Sequence, residues 1–275
     1  MNSSHSITQR TLDRPSLVIR RIALTGTLSA VYLVFRAIPI FPMIFLPGSF
    51  FRAGDMIAPL YGILLGPVLG PVAIAIGTIA GYPTVAPSFF LGFDFLPASV
   101  CSAISGLLVQ GRKKIATVLY AVLLLVFLLS PFTARLISFG GTEVPYNWLH
   151  IAGLLLLVSP LTRYAPSVRS STNGTSALGQ FRLRNSSVSY QVLLILLIAF
   201  IGTLGQHLTG GIMTEALFGL NYHTTPARFA SWQAYWTVIF FLYPIERSII
   251  AVVATVIATP VLLALRSSRI INRLP

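Results

Sequence analysis

The sequence predicts an all-α membrane protein, a polytopic helix bundle of about eight spans. Of its 275 residues, 55% are hydrophobic and only 9% are charged, whereas about 25% of the residues in soluble domains are charged. Nineteen basic residues outnumber six acidic ones. The basic residues are scattered between apolar segments and do not form one basic face, which argues against a nucleic-acid partner. We therefore expect the lipid bilayer to be the main surroundings of this chain.

Apolar segments recur along the chain at lengths near the roughly 20 residues that a helix needs to cross a bilayer. The candidate spans are 22–38, 56–65, 68–82, 96–109, 115–132, 148–161, 188–208 and 244–265. The second and third are short, and Gly66-Pro67 and Gly70-Pro71 lie where they meet. Proline interrupts helices, so these residues favour a tight turn over one long helix.

The placement of the basic residues predicts the orientation of the chain. If the polar tail 1–20 is cytosolic, threading the spans back and forth puts fourteen basic residues inside. The other five fall outside or near the outer ends of spans: Arg36, Arg52, Arg135, Arg228 and Arg247. This asymmetry follows the positive-inside rule. We therefore predict one integral domain in the cell membrane, with both termini and a flexible 163–187 loop in the cytosol.

Polar and aromatic residues at the predicted outer ends of the last spans are candidates for a binding site. Pro244 and Glu246 are predicted to open the last span, with the proline in its first turn and the acid at its positive end. These helix-start roles do not account for Arg247, which lies next to a group of aromatic residues. Such a cluster suits a planar polar ligand, although an aromatic belt at the membrane interface is an alternative explanation.

The candidate substrate-binding residues are Trp232, Trp236, Tyr243, Glu246, Arg247, Gln206, His207 and Asp94. Gln206 and His207 close the preceding span at the same outer level. Asp94 precedes the 96–109 span, where capping of the helix N-terminus is the plainer explanation.

No catalytic residue, cofactor or metal site is predicted. His207 and His223 lack metal-ligand spacing, and Cys101 is the only cysteine. The only lysines, Lys113 and Lys114, do not form the Gly-Lys-Ser/Thr sequence of a phosphate-binding loop, so the chain is not its own ATPase. We therefore do not expect an enzyme.

The first span carries a stripe of small residues, Ala23, Gly26, Thr27 and Ala30. In lipid, such stripes let helix backbones approach closely. We expect this stripe to contact a partner protein, and packing within the bundle is the alternative.

Three segments resemble the substrate-binding (S) components of energy-coupling factor (ECF) transporters. Residues 54–67, GDMIAPLYGILLGP, resemble the signature of their second and third helices. Residues 95–114, which end in Arg-Lys-Lys, are similar to their fourth helix and its basic cytosolic end. The sequence LYPIER at 242–247 resembles the start of their sixth helix.

The resemblance implies a six-helix vitamin-binding bundle that associates with a coupling transmembrane subunit and paired ATPase subunits. Members of this family use an Ala-x-x-x-Ala pattern on the first helix for that contact, and the matching residues here are Gly26 and Ala30. Their ligands bind near the outer face, under the loop after the first helix, which corresponds to 39–49. The extra hairpin at 115–161 adds two spans to the six of the family, so the number stays even and the later spans keep their orientation.

The sequence therefore predicts a membrane component that binds a small vitamin-like solute for uptake, energised by separate ATPase subunits. Two alternatives remain open. A polytopic enzyme acting on a lipid or isoprenoid would need acidic residues and a metal on the cytosolic side, whereas the acidic residues here cluster outside. A stand-alone secondary carrier would show inverted repeats, and no clear repeat is found. The sequence does not identify the substrate.

Overall fold

The computed structural model describes residues 4–42, 50–85, 88–159 and 188–267. Within these ranges the chain is mostly helical. The helices are α1 (Ser4–Arg36), α2 (Ala53–Gly81), α3 (Phe95–Val109), α4 (Lys113–Leu129), α5 (Trp148–Val158), α6 (Val188–Thr214), α7 (Leu220–Tyr222) and α8 (Pro226–Ser267), with a π-helical turn at Glu215–Gly219. The strands are β1 (Pro39–Pro42), β2 (Phe50–Arg52), β3 (Leu136–Phe139) and β4 (Thr142–Pro145).

Four helical stretches in the described ranges are long and apolar enough to cross a membrane: Val18–Arg36, Ala53–Gly81, Val188–Gly219 and Pro226–Ala264. Large apolar side chains such as Val68, Leu155 and Val256 are exposed on the outside of the bundle. Such an apolar surface is favourable in contact with lipid chains and unfavourable in contact with water. The prediction of an all-α, membrane-embedded bundle is confirmed at this level.

Helix α2 reverses direction at Gly66, which has φ 83° and ψ −177°. Both ends of α2 lie at the C-terminal end of α1, because a Cβ atom added to Gly54 would lie 3.5 Å from Arg36 N and one added to Gly81 would lie 3.6 Å from Arg36 Cδ. A straight helix of this length would separate those ends by about 40 Å. The turn predicted around Gly66-Pro67 is therefore present, and only glycine adopts its backbone conformation readily.

Helix α3 packs against both arms of α2 at very short range. A Cβ atom added to Gly106 would lie 2.5 Å from Pro67 N and 2.6 Å from Gly66 C, and one added to Gly62 would lie 2.8 Å from Gly106 N. The glycines recurring at 62, 66 and 70 therefore serve packing inside the bundle, where the absence of side chains lets backbones touch.

The segment 113–158 forms a helical hairpin that packs on α6 and includes most of the extra hairpin predicted at 115–161. Its strands β3 and β4 pair antiparallel around Gly140 and Gly141, which both have positive φ angles, 56° and 81°. Two such residues are typical of the tight turns that join hairpin strands. The two small β-hairpins, β1–β2 and β3–β4, were not predicted from the sequence.

The predicted start of the last span is wrong, because α8 begins at Pro226 and runs through Pro244. An interior proline lacks an amide donor and crowds the preceding turn. Here Trp232, Trp236 and Tyr243 lie on one side of the helix and are fully buried. We infer that packing of this aromatic face outweighs the cost of the proline.

Two further boundaries differ from the prediction, and three predicted segments lie partly or wholly outside the described residues. Helix α6 continues beyond 208 to Thr214, and the hydroxyls of Thr209 and Thr214 donate to the carbonyls of Gly205 and Gly210 one turn earlier. Polar side chains therefore do not end this helix. Helix α1 begins at Ser4, within the predicted tail. Outside the described residues lie the 163–187 loop, 43–49 of the 39–49 loop and the end of the 148–161 span.

Candidate functional site

The centre of the candidate site is a group of polar side chains from α2, α5, α6 and α8. In the first turn of α2, Asp55 Oδ2 accepts a hydrogen bond from the backbone N–H of Arg52 at 3.2 Å. Gln206 Nε2 of α6 donates a long bond of 3.4 Å to Asp55 Oδ1. The other amide atom, Gln206 Oε1, is buried and has no hydrogen-bond partner within the described ranges.

Arg247 is buried beside this pair, with 1% of its surface exposed. Its Nη2 lies 3.3 Å from Glu246 Oε2. Its positive charge is also close enough to Asp55 to attract that carboxylate. The guanidinium carbon lies 5.7 Å from the ring centroid of Phe51 in β2, at a distance typical of a cation–π contact. Phe51, just before α2, therefore covers the charged group from one side.

Three rings from three helices stack next to Arg247. The ring centroids of His207 and Tyr243 are 4.7 Å apart, and His150 lies 5.1 Å from each of them. His150 Nε2 and His207 Nδ1 are 3.0 Å apart, so one of these nitrogens donates to the other. The Tyr243 hydroxyl donates to the carbonyl of Tyr146 at 3.1 Å. The inserted hairpin therefore contacts the polar centre directly.

Trp236 lies two turns before Tyr243 along α8, and Trp232 lies one turn before Trp236. The ring of Trp236 is edge-on to Tyr146 at 5.1 Å, and its Nε1 has no hydrogen-bond partner among the described residues. Trp232 Nε1 donates to the carbonyl of Phe132 at 2.8 Å. Trp232 thereby ties α8 to the segment that follows α4, which gives it a structural role.

Glu215 lies after α6, at the start of the π-helical turn. It is 2% exposed, and its Oε1 accepts a hydrogen bond of 2.7 Å from the Thr133 hydroxyl. Its second oxygen is buried and has no hydrogen-bond partner in the part of the chain that the structure describes. This acidic group is therefore buried against the segment that follows α4.

The structure does not bring Asp94 together with the other candidates. Its carboxylate accepts hydrogen bonds from the Ser88 hydroxyl, the backbone N–H groups of Phe89 and Phe90, and the Tyr82 hydroxyl. Asp94 does occupy the N-cap position of α3, but its side chain makes no capping bond. The predicted N-cap position is therefore correct, but the capping hydrogen bond is absent, because the carboxylate bonds to the loop before the helix instead.

Of the eight predicted residues, Gln206, His207, Tyr243, Glu246 and Arg247 form the centre, Trp236 and Trp232 extend it, and Asp94 lies apart. Sequence reasoning did not select Asp55, His150 and Phe51, which the fold places at this centre, or Asn147, which lies one turn before His150 at the start of α5. A signal for His150 was present, because an ionisable residue inside a predicted span marks a functional site by default. Phe51 and Asn147 gave no such signal.

The small-residue stripe on α1 faces outward. Ala23, Gly26, Thr27 and Ala30 are all exposed, and a Cβ atom added to Gly26 would meet nothing within 4 Å. Among the described residues, nothing packs on this stripe. Packing against the described residues therefore does not explain the stripe.

Comparisons with protein-family models, with curated proteins and with solved structures give no match. The geometry of the site therefore carries the functional conclusion. Donors and acceptors are mixed at its centre, next to stacked ring faces and under a cover from β2. Such a site can bind a small polar molecule by hydrogen bonds and stacking. Within the described ranges, no three His, Cys, Asp or Glu side chains are grouped so that they could hold a metal ion.

Proposed function

We propose that this protein is the membrane substrate-binding component of an uptake system for a small vitamin-like solute, energised by separate ATPase subunits. The observation that carries the proposal is the convergence of Asp55, Gln206 and Arg247, from three helices, under Phe51 of β2. Buried polar and charged groups cost free energy unless they have partners. A solute that hydrogen-bonds to them would supply those partners.

Three features of the fold support the resemblance to ECF S components. If the two arms of α2 count as separate helices, then α1, α2, α3, α6 and α8 supply six helical segments, and α4 and α5 form the additional hairpin. Phe51 follows the segment that roofs the ligand in that family. The outward-facing Gly26 and Ala30 match the positions that contact the coupling subunit. The proposed role is binding, and the ATPase subunits supply the energy.

Purification from the native membrane tests this proposal. Mild detergent extraction of the affinity-tagged chain should co-purify a second transmembrane protein and ATPase subunits, identified by mass spectrometry. A preparation that holds only this chain, from cells that take up the solute through it, would support the stand-alone carrier instead. An associated turnover of lipid or isoprenoid would support the enzyme.

A variant of the α1 stripe tests the docking surface. Gly26→Trp adds bulk where close approach is needed, so the ATPase subunits should no longer co-purify and uptake should stop. Because nothing in the described chain packs on Gly26, the isolated variant should keep the thermal midpoint of the parent. Gly210→Trp is the matched control, since a Cβ atom at Gly210 also meets nothing within 4 Å. Unchanged assembly of Gly26→Trp would show that lipid covers this face.

A further inference from the structure

Asn147, in the inserted hairpin, has a buried side-chain amide with no hydrogen-bond partner. The residue is 2% exposed, and neither Oδ1 nor Nδ2 has a partner within the described ranges. Asn147 occupies the N-cap position of α5, where asparagine commonly accepts a bond from the first turn. Its side chain makes no such bond. An unsatisfied buried polar group costs free energy, so this orientation calls for another partner.

His150 lies one turn further along α5. Residues three apart share a face of a helix. His150 Nε2 contacts His207, whereas its Nδ1 is buried without a hydrogen-bond partner in the described part of the chain. The charge of Arg247 acts on both histidines. The first turn of α5 therefore brings unpartnered polar atoms to the edge of the candidate site.

Two other residues of the site also have unpartnered atoms. Gln206 Oε1 of α6 is an acceptor, and Arg247 Nε of α8 is a donor; neither has a hydrogen-bond partner among the described residues. Together with Oδ1 and Nδ2 of Asn147, these unpartnered atoms include about as many hydrogen-bond donors as acceptors. A simple anion or cation would satisfy only one kind. An uncharged molecule with adjacent donor and acceptor groups satisfies both.

We propose that the inserted hairpin contributes Asn147 and His150 directly to the substrate site, and that this site takes an uncharged planar heterocycle with an amide-type edge. An asparagine amide pairs with such an edge through two bonds, as it does with adenine in nucleic acids. The stacked rings of His207 and Tyr243 offer a matching flat face. The inference rests on the proposed function, and it makes the hairpin a part of the binding site.

The test measures binding to the purified full-length protein in detergent by titration calorimetry. The probes are uracil, guanine and lumazine, with benzoate and tetramethylammonium as charged comparisons. The hairpin variants are Asn147→Leu and His150→Phe, which keep bulk and, for the histidine, a ring. The matched controls are Asn221→Leu and His223→Phe, because these residues belong to the outer segment around α7 and bond to Arg228 and Gly219 there.

We expect at least one of the three heterocycles to bind the parent protein and to bind each hairpin variant at least about tenfold more weakly. Both controls should keep the parental affinity. The ligand-free Asn147→Leu variant should unfold at the parental temperature or above it, because an apolar group replaces an unsatisfied polar one. His150→Phe loses its bond to His207, so its ligand-free form should unfold at a lower temperature while remaining folded at the temperature of the binding assay. That readout separates loss of a ligand contact from loss of the fold.

Other outcomes overturn the inference in distinct ways. If both hairpin variants bind with the parental affinity, the hairpin is not part of the site, which then belongs to α2, α6 and α8. The proposed function would be unaffected by that result. Binding of only a charged probe, or of none of the five, would refute the heterocycle. The co-purification of ATPase subunits decides the proposed function separately, so the two can fail independently.

Discussion

Replacing Gly106 by alanine tests the packing of α3 against the reversal of α2. The added Cβ atom would lie 2.6 Å from Gly66 C and 2.5 Å from Pro67 N. Non-bonded carbon atoms prefer about 3.5 Å or more, so α3 must move away by about 0.9 Å or the turn must deform. Both contacts are with backbone, which has no alternative rotamer to adopt.

The expected cost follows from this geometry. Overpacking by one methyl group costs about 1–3 kcal/mol, against which alanine gains up to about 1 kcal/mol over glycine in helix propensity. We expect Gly106→Ala to lower the thermal midpoint in detergent by several degrees, at roughly 2–4 °C per kcal/mol. Gly26→Ala has the same propensity gain and nothing within 4 Å of its Cβ atom, so its midpoint should stay level or rise.

The assay is thermal unfolding of both purified variants in the same detergent, followed by tryptophan fluorescence and by loss of the monodisperse peak in size-exclusion chromatography. The quantity that matters is the difference between the two midpoints. Equal midpoints for Gly106→Ala and Gly26→Ala would refute the close approach of α3 to the Gly66-Pro67 turn.

Three further variants test other parts of the structure. Tyr243→Phe removes the hydroxyl that bonds to the Tyr146 carbonyl and should destabilise the protein in thermal unfolding by about 0.5–1.5 kcal/mol; no change would mean that this bond adds nothing. Arg247→Ala leaves the buried Glu246 carboxylate unpaired and should cost about 3–5 kcal/mol, most of it recovered in the Glu246→Gln/Arg247→Met double variant. Ser171→Cys should resist a membrane-impermeant maleimide in intact cells and react in inverted vesicles, whereas labelling from outside would reverse the predicted orientation.

The sequence predicts those parts of the fold that depend on local chemistry. Gly66-Pro67 signals the reversal of α2 because glycine admits a positive φ and proline interrupts the helix, and both effects act within a few residues. Pro244 shows where local rules fail. It is a good first-turn residue, yet the aromatic face of α8 extends the helix through it, and only the tertiary packing of that face reveals this.

The centre of the site is predictable only in part for a related reason. Gln206, His207 and Arg247 stand out as polar residues at the predicted ends of apolar segments. The contact of His207 with His150 joins positions 57 residues apart, and no local pattern encodes such a pairing. The carboxylate of Asp94 likewise finds its partners in the preceding loop, which capping statistics alone do not foresee.

The reversal at Gly66 also constrains how the chain enters the membrane during synthesis. Each arm of α2 has only about 14 residues on either side of the break and is therefore about 20 Å long, well short of the roughly 30 Å hydrocarbon core. Neither arm can be held as a stable single span while the other is still being made. We therefore expect the two arms to enter the bilayer together as a hairpin, so that the residue that shapes the turn also sets the smallest unit that is inserted.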